Sequence, residues 1–359
     1  MNNFVALCLT AIVGLVGAFL FQLIHIPVPF LLGPMISVLI FSQTTKWRFY
    51  WPKQIKSYSL MVIGYTLGTA FTIDILKNMY THIPMMAIVT IITFSVSLLF
   101  AWLLSKFAKV DFPTSLLSSV PGGLTQMLVL AEDLKGINVT IVTFFHTIRV
   151  MLIVVLIPFI VHIPALQGTE NYMPTATVGQ ATTIPIWLLV LIYTIACYIA
   201  FRLFKKWHFP AATMLGPIVI TIILSVFVGL PTFELPNWFM ALCQFVVGTS
   251  IGLMLHPEHL THKKVLMPLG LLSALALIAM AFVMSVWLLP STEHTTIITG
   301  FLSLAPGGID QMGIVGHEMN ADTSMITMYQ VFRMLCIYFF VPPLMTLLVK
   351  KYRIAQKNV

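Results

Sequence analysis

Apolar residues run along this chain in stretches of about twenty, separated by short polar or charged segments, which is the length a helix needs to cross a hydrocarbon layer. Reading for such runs predicts helices near 3–24, 27–43, 57–73, 83–107 and 138–162 in the first half. The second half repeats them near 183–204, 209–229, 237–255, 265–289 and 321–349. Two further apolar segments, 112–135 and 294–317, do not read as continuous helices, because each carries Pro-Gly-Gly in its middle. Pro removes a backbone donor and Gly permits conformations closed to other residues, so a regular helix breaks there. At membrane depth such a break is tolerated only in buried or cavity-lining backbone, where protein, water or ligand pairs the freed N–H and C=O groups.

The two breaks belong to a wider duplication. Val120-Pro121-Gly122-Gly123-Leu124-Thr125-Gln126-Met127 is matched by Ala305-Pro306-Gly307-Gly308-Ile309-Asp310-Gln311-Met312. His25-Ile26-Pro27 followed by Leu32-Gly33-Pro34 is matched by His208-Phe209-Pro210 followed by Leu215-Gly216-Pro217. Gly64 and Gly68 match Gly248 and Gly252, and Arg149 matches Arg333. The offsets drift slowly through 183, 184 and 185, as a diverged duplication should. The organisation read from this is a first membrane repeat over 1–164, a polar linker over 165–181 and a second repeat over 182–359.

Composition settles the class. Hydrophobic residues make up 59% and charged residues 8%, against about a quarter charged in soluble domains. The reading is an all-α polytopic membrane protein of about ten transmembrane helices. The excess of 19 Lys and Arg over 11 Asp and Glu forms no long basic run, so it reads as cytoplasmic loops obeying the positive-inside rule and not as a nucleic-acid surface. Cys8, Cys197, Cys243 and Cys336 lack paired spacing and read as packing residues. The N-terminal apolar stretch lacks a basic n-region and a small-residue cleavage site, and reads as a retained first helix.

Charge placement also orients the halves. Lys46, Arg48, Lys53 and Lys56 follow the second helix, whereas the matching loop near 230–236 has no Lys or Arg. Residues 162–181 have none either, while the matching tail carries Lys350, Lys351, Arg353 and Lys357. Equivalent loops therefore face opposite sides, which makes the repeats inverted, each with five crossings and a Pro-Gly-Gly hairpin that enters and leaves by one side. With both termini cytoplasmic, Lys106, Lys109, Arg202, Lys205, Lys206, Lys263 and Lys264 fall inside and Lys77 alone outside. The first hairpin then opens to the cytoplasm and the second to the outside.

Paired interruptions in two halves point to a transporter binding site, formed by Pro121, Gly122, Gly123 and Gln126 with Pro306, Gly307, Gly308 and Gln311. Asp310 stands where the first motif has Thr125, so the second break carries a carboxylate that reads either as a coupling-ion site or as a helix cap. Arg149 and Arg333 lie well inside apolar helices, where an Arg costs about 2.5–3.5 kcal/mol on insertion scales. Carboxylates, hairpin carbonyls or an anionic substrate are the candidates to compensate them. His146 and Gln330 lie on matching turns near the arginines, and Glu132, Asp133, His317, Glu318 and Asp322 follow the breaks. Thr125, His146, Glu318 and Gln330 are secondary candidates. The glycine pairs at GxxxG spacing read as close helix packing, and His25 and His208 as helix-end residues. The His256–His262 segment lacks a partner cluster, so no metal is expected, and no nucleotide or hydrolase fingerprint appears.

With its two Pro-Gly-Gly-x-x-Gln-Met motifs, doubled Gly-Pro helices and repeated Arg, the chain resembles the AbrB family of duplicated bacterial membrane proteins over nearly its whole length. That family has been labelled both an ammonia monooxygenase and a regulator of gene expression, and its architecture is similar to cation:proton antiporters and anion:cation symporters. The name is shared with a soluble DNA-binding regulator that this chain does not resemble. An oxygenase would need copper or iron ligand sets at metal spacing, which the scattered histidines do not supply. The expectation is therefore a secondary transporter of a small metabolite, with a small organic anion as the candidate that the two arginines favour, coupled to H⁺ or Na⁺, with no enzyme activity, no cofactor and no nucleic-acid partner. It is placed in the bacterial inner or plasma membrane, with any effect on gene expression indirect. The alternative is a membrane sensor or scaffold that regulates expression without transport. Carriers built from inverted repeats often dimerise through a fixed scaffold, so a homodimer completes the expected partners.

Overall fold

The computed structural model describes residues 3–122, 127–128, 130–131, 134, 136–163, 166, 184–209, 211–254, 263–288 and 295–357. Every regular element among them is helical. The first half contains α1 (Asn3–Leu23), α2 (Pro29–Thr44), α3 (Lys53–Thr69), α4 (Ile73–Ala108), α5 (Phe112–Ser119) and α6 (Val139–Val161). The second contains α7 (Ile186–Lys206), α8 (Ala212–Ile222, continued by a π-helical turn Ile223–Phe227), α9 (Asn237–Gly252) and α10 (Lys263–Trp287). After these come α11 (Ile297–Leu304), α12 (Ile309–Glu318) and α13 (Thr323–Lys357).

Six of these helices, α1, α4, α6, α7, α10 and α13, are long and apolar enough to cross a membrane. Most of α6 is buried, while α1 and α7 turn most of their residues outward and α13 is buried over Thr323–Gln330. Large side chains such as Phe19 and Leu23 of α1 or Trp187 of α7 are exposed on those outer faces, as a hydrocarbon solvent allows. Helices α2, α3 and α9 have 16, 17 and 16 residues, about 24–26 Å at 1.5 Å per residue. These shorter helices pack with α8 in the interior: α2 against α1 and α9, and α8 against α7 and α3.

The sequence expectation of helix starts at 27 and 209 runs ahead of the fold for a local reason. His25 and His208 both take left-handed backbone, with φ of 55° and 56°, and so do Val28 and Ala211, with φ of 49° and 45°. Two left-handed residues in so short a link turn the chain sharply, and helix begins only at Pro29 and Ala212. The link closes α1 and α7 in the same way: Ile26 N donates to Phe21 O at 3.0 Å, and Phe209 N donates to Phe204 O at 3.0 Å. Gly136 and Asn320, at corresponding places before α6 and α13, are likewise left-handed.

Between the halves the close approaches are reciprocal. A Cβ on Gly64 of α3 would sit 2.8 Å from the Met214 carbonyl of α8, and one on Gly68 would sit 3.0 Å from the Ile218 carbonyl. On the other side Gly248 of α9 lies against the Leu31 carbonyl of α2, and a Cβ on Gly252 would sit 2.5 Å from the Met35 carbonyl. The packing role read for these four glycines is therefore the one they play, with backbone pressed on backbone.

The helices assemble into two groups. One comprises α1, α2, α3, α7, α8 and α9; the other comprises α4, α5, α6, α10, α11, α12 and α13, with α3 touching α12 and α13 across the seam. Gly248→Ala should lower the unfolding midpoint in detergent by the equivalent of about 1–3 kcal/mol, because a carbonyl cannot step aside for the added methyl. Gly270→Ala is the control, since its Cβ would meet only side chains, the nearest at 3.4 Å, and its midpoint should hold or rise. Equal behaviour of the two variants would remove the crossing argument.

Candidate functional site

Each interrupted segment begins with a short capped helix. Asp111 accepts from Thr114 N at 2.8 Å to start α5, and Thr296 accepts from Thr299 N at 3.2 Å to start α11. These side chains pair first-turn donors that no helix can satisfy internally. The hydroxyls of Thr114 and Thr299 then accept from Asn138 N and Asp322 N, at 3.0 and 3.2 Å, tying each break to the start of the helix that follows it. Asn138 caps α6 through Ile141 N, while Asp322 accepts from Ser324 N, the Ser324 hydroxyl and Met325 N at the start of α13. Asp322 is thus a helix cap.

At the far ends of α5 and α11 the chain leaves helix, and its last carbonyls need donors. Arg149, from α6, donates through its two terminal nitrogens to the carbonyls of Ser119, Val120 and Gly122 at 3.5, 3.2 and 3.4 Å. Arg333, from α13, donates to Leu304, Ala305 and Gly307 at 2.8, 2.8 and 3.2 Å. Both side chains are buried. The acceptors correspond residue for residue, and a cation at a helix C-terminus also meets the negative end of the helix dipole. Among the candidates to compensate the arginines, the hairpin carbonyls are the groups in contact.

A second residue braces each guanidinium. His146 contacts the Leu117 carbonyl through Nε2 at 2.9 Å and Arg149 through Nδ1 at 2.9 Å. A carbonyl only accepts and a guanidinium only donates, so Nε2 carries the proton and Nδ1 is bare. Gln330 does the same with an amide: Nε2 donates to Leu302 O at 2.9 Å and Oε1 accepts from Arg333 at 2.5 Å. His146 is wholly buried behind Arg149.

The second break continues into α12, where Gln311 Oε1 accepts from Gly308 N at 2.6 Å. Asp310, half-buried in the first turn of α12, lies beside the backbone N–H groups of that turn. An anion at a helix N-terminus is favourably placed. Both side chains fold over Gly308, where a Cβ would collide with the Asp310 carboxylate and lie 2.6 Å from the Gln311 amide oxygen.

Along the seam between the two helix groups runs a cavity of about 800 Å³. From one side it is lined by Pro121, Gly122, Arg149, Pro306, Gly307, Gly308, Asp310, Gln311, Gln330 and Arg333. From the other it is lined by Lys53, Lys56, Lys205 and Trp51, with apolar residues of α8 and α9. Gly123, Thr125, Gln126, Glu132 and Asp133 lie outside the described residues, as does the His256–His262 segment. Glu318 is exposed, does not line the cavity, and accepts from Gln244 at 2.6 Å. The lysines are what sequence reasoning missed. They served only as markers of membrane side, and no local pattern announces that helices far apart in sequence turn them towards the breaks.

An all-helical, membrane-type protein whose halves each hold an interrupted helix on a buried arginine is the class that this fold and site define. The family described as "Transition state regulatory protein AbrB" matches residues 30–349, and the chain belongs to it. "Putative regulator AbrB" of Escherichia coli (strain K12) is 26% identical over 337 residues, covering 92% of each chain. "Uncharacterized protein YhjN" of Bacillus subtilis (strain 168) is 26% identical over 350 residues, covering 92% of this chain and 90% of the relative.

Replacing either arginine by Gln should destabilise the fold, because each buried carbonyl left unpaired costs about 1–3 kcal/mol. Arg333→Gln should cost more than Arg149→Gln, given its shorter bonds. His146→Gln, which installs the second repeat's own arrangement, should lie within about 1 kcal/mol of the parent, whereas His146→Leu loses both bonds and should not. Unfolding midpoints of the four variants check this order.

Proposed function

We propose that this chain is a secondary active transporter of a small anionic metabolite, coupled to H⁺ or Na⁺. One observation carries the reading: among the described residues the cavity is lined at once by both interrupted segments and by five cationic side chains, Lys53, Lys56, Arg149, Lys205 and Arg333, against the single carboxylate of Asp310. Its volume suits a metabolite. The arginines have a double role in this reading. They hold the breaks open and, with only carbonyl and neutral side-chain partners in contact, they leave positive charge for an anion to neutralise.

The architecture we assign is two inverted repeats of five crossings and one hairpin, about ten transmembrane helices in all. Supporting it are the matched caps, left-handed links and arginine contacts, together with the reciprocal packing of α3 on α8 and α9 on α2, a pattern that a two-fold relation between copies produces. The unequal Lys and Arg content of equivalent loops favours inversion over a parallel repeat. The protein then resides in the bacterial inner or plasma membrane with both termini cytoplasmic, and the cavity reaches the cytoplasmic lysines. Its partners are the substrate, the coupling ion and the bilayer, with a homodimer as the proposed assembly; nucleic acid, cofactors and an enzymatic step have no part in it.

A sensor or scaffold that regulates expression without transport is the second reading, favoured by the names of the family and of the Escherichia coli relative. Uptake of labelled mono-, di- and tricarboxylates into proteoliposomes under an imposed H⁺ or Na⁺ gradient separates the two. Gradient-driven uptake that is lost in Gly308→Leu is expected; binding without any flux across such a panel would favour the sensor. Topology has its own check: in a background without the four native cysteines, Thr169→Cys and Lys357→Cys should be labelled from opposite sides of the membrane. Labelling from one side would sink the inverted repeat.

A further inference from the structure

Broken membrane helices can gather a small cation on their exposed carbonyls, and in this chain that place is occupied. The carbonyls of Ser119, Val120 and Gly122 point their lone pairs at Arg149, and those of Leu304, Ala305 and Gly307 at Arg333. Each guanidinium is a permanently charged cation with donors only, fixed by a covalent stem. A dissolved Na⁺ using the same oxygens would have to share them with that permanent positive charge at hydrogen-bond distance.

The remaining carboxylate offers Na⁺ little better. Lys56 of α3 is the cation that acts on Asp310, and Lys53 of α3, Lys205 of α7, Arg149 of α6 and Arg333 of α13 line the same cavity. On its own helix, His317 and Glu318 lie at the opposite end. Helices α8 and α9 contribute no charged side chain to the lining among the described residues. An alkali cation at Asp310 would need several oxygen ligands in place of its hydration shell, with the hairpin carbonyls already bonded to guanidinium cations and the charge of Lys56 acting on the same carboxylate. A proton needs one carboxylate oxygen and no cage.

Resting on the carrier reading above, we infer that the coupling ion is H⁺ and not Na⁺, that Asp310 carries it, and that proton and anion bind together. Ionised Asp310 is itself an anion tethered in the cavity, where it engages the field of Lys56 and repels an incoming anion. Protonation removes that repulsion and frees Lys56 for the ligand. By linkage the anion then tightens the hold on the proton by the same factor, and the pair crosses as a symport. In the first repeat the corresponding position is Thr125, which carries no such charge, so one proton accompanies each cycle.

The test uses the full chain in detergent and has three arms. Thermal unfolding in choline chloride, NaCl and LiCl at constant ionic strength should give one midpoint; a saturable, Na⁺-specific rise would overturn the inference. Titration with acetate, succinate, citrate and inorganic phosphate at acidic, neutral and alkaline pH should show apparent affinity weakening as pH rises, approaching about tenfold per pH unit for one linked proton. In Asp310→Asn the affinity should be flat with pH, and a wild-type pH dependence in that variant would refute the assignment. Infrared difference spectra between low and high pH should contain a protonated-carboxyl band that Asp310→Asn lacks; its absence from the parent would also refute it. Should none of the four anions stabilise the protein at any pH, the anion-carrier reading fails, while the Na⁺ and infrared arms still judge the proton site.

Discussion

An unpaired carbonyl in an apolar interior is the constraint on which this structure depends. A helix that stops inside a membrane-type bundle strands its last carbonyls, and those that are buried need a donor from the protein. Here the donor is a guanidinium, delivered from the helix that follows each break. Arginine suits the task because its planar fork reaches several carbonyls at once and never loses its charge. The same choice places two cations in the interior, and their partners are dipoles, not counter-ions. Geometry and electrostatics are thus set by one side chain per half.

That constraint explains where the cavity lies. Helices α5, α11 and α12 are short, and the backbone beside them lines the cavity through Pro121, Gly122, Pro306, Gly307 and Gly308. The group formed by α1, α2, α3, α7, α8 and α9 closes the other side, and glycine crossings let its four inner helices pack at backbone distance. Close packing there and interruption opposite produce a seam lined largely by apolar residues of α8 and α9, with cations contributed from both sides. The charges on the two sides differ in kind: buried arginines held by carbonyls face half-buried or exposed lysines that are free of such bonds in the lining.

Much of this was legible in the chain because it is written twice. A single Pro-Gly-Gly or a single intramembrane Arg would be ambiguous, but Arg149 and Arg333 stand at matched distances from matched breaks, which leaves carboxylates, hairpin carbonyls or an anion to compensate them, and the fold brings the carbonyls into contact. Long apolar runs located α1, α4, α6, α7, α10 and α13. Helix ends at α2 and α8 were misplaced by two or three residues because left-handed Val28 and Ala211 carry no compositional mark. The lysines of the cavity were invisible for a different reason: burial and convergence are properties of tertiary packing, and Lys56 and Lys205 are about 150 residues apart in the chain. Glu318 shows the converse, a plausible acid near the motif that the fold turns outward to Gln244.

His146 and Gln330 occupy the same place in the two halves and look unlike each other in sequence. What survives between them is an ordered pair of atoms, one that gives a hydrogen to the carbonyl behind and one that receives a hydrogen from the arginine in front. Ring or amide, aromatic or not, the direction of polarity is unchanged. The two positions thus share a vector and differ in residue type, so what is common to them is the sense of a hydrogen-bond chain.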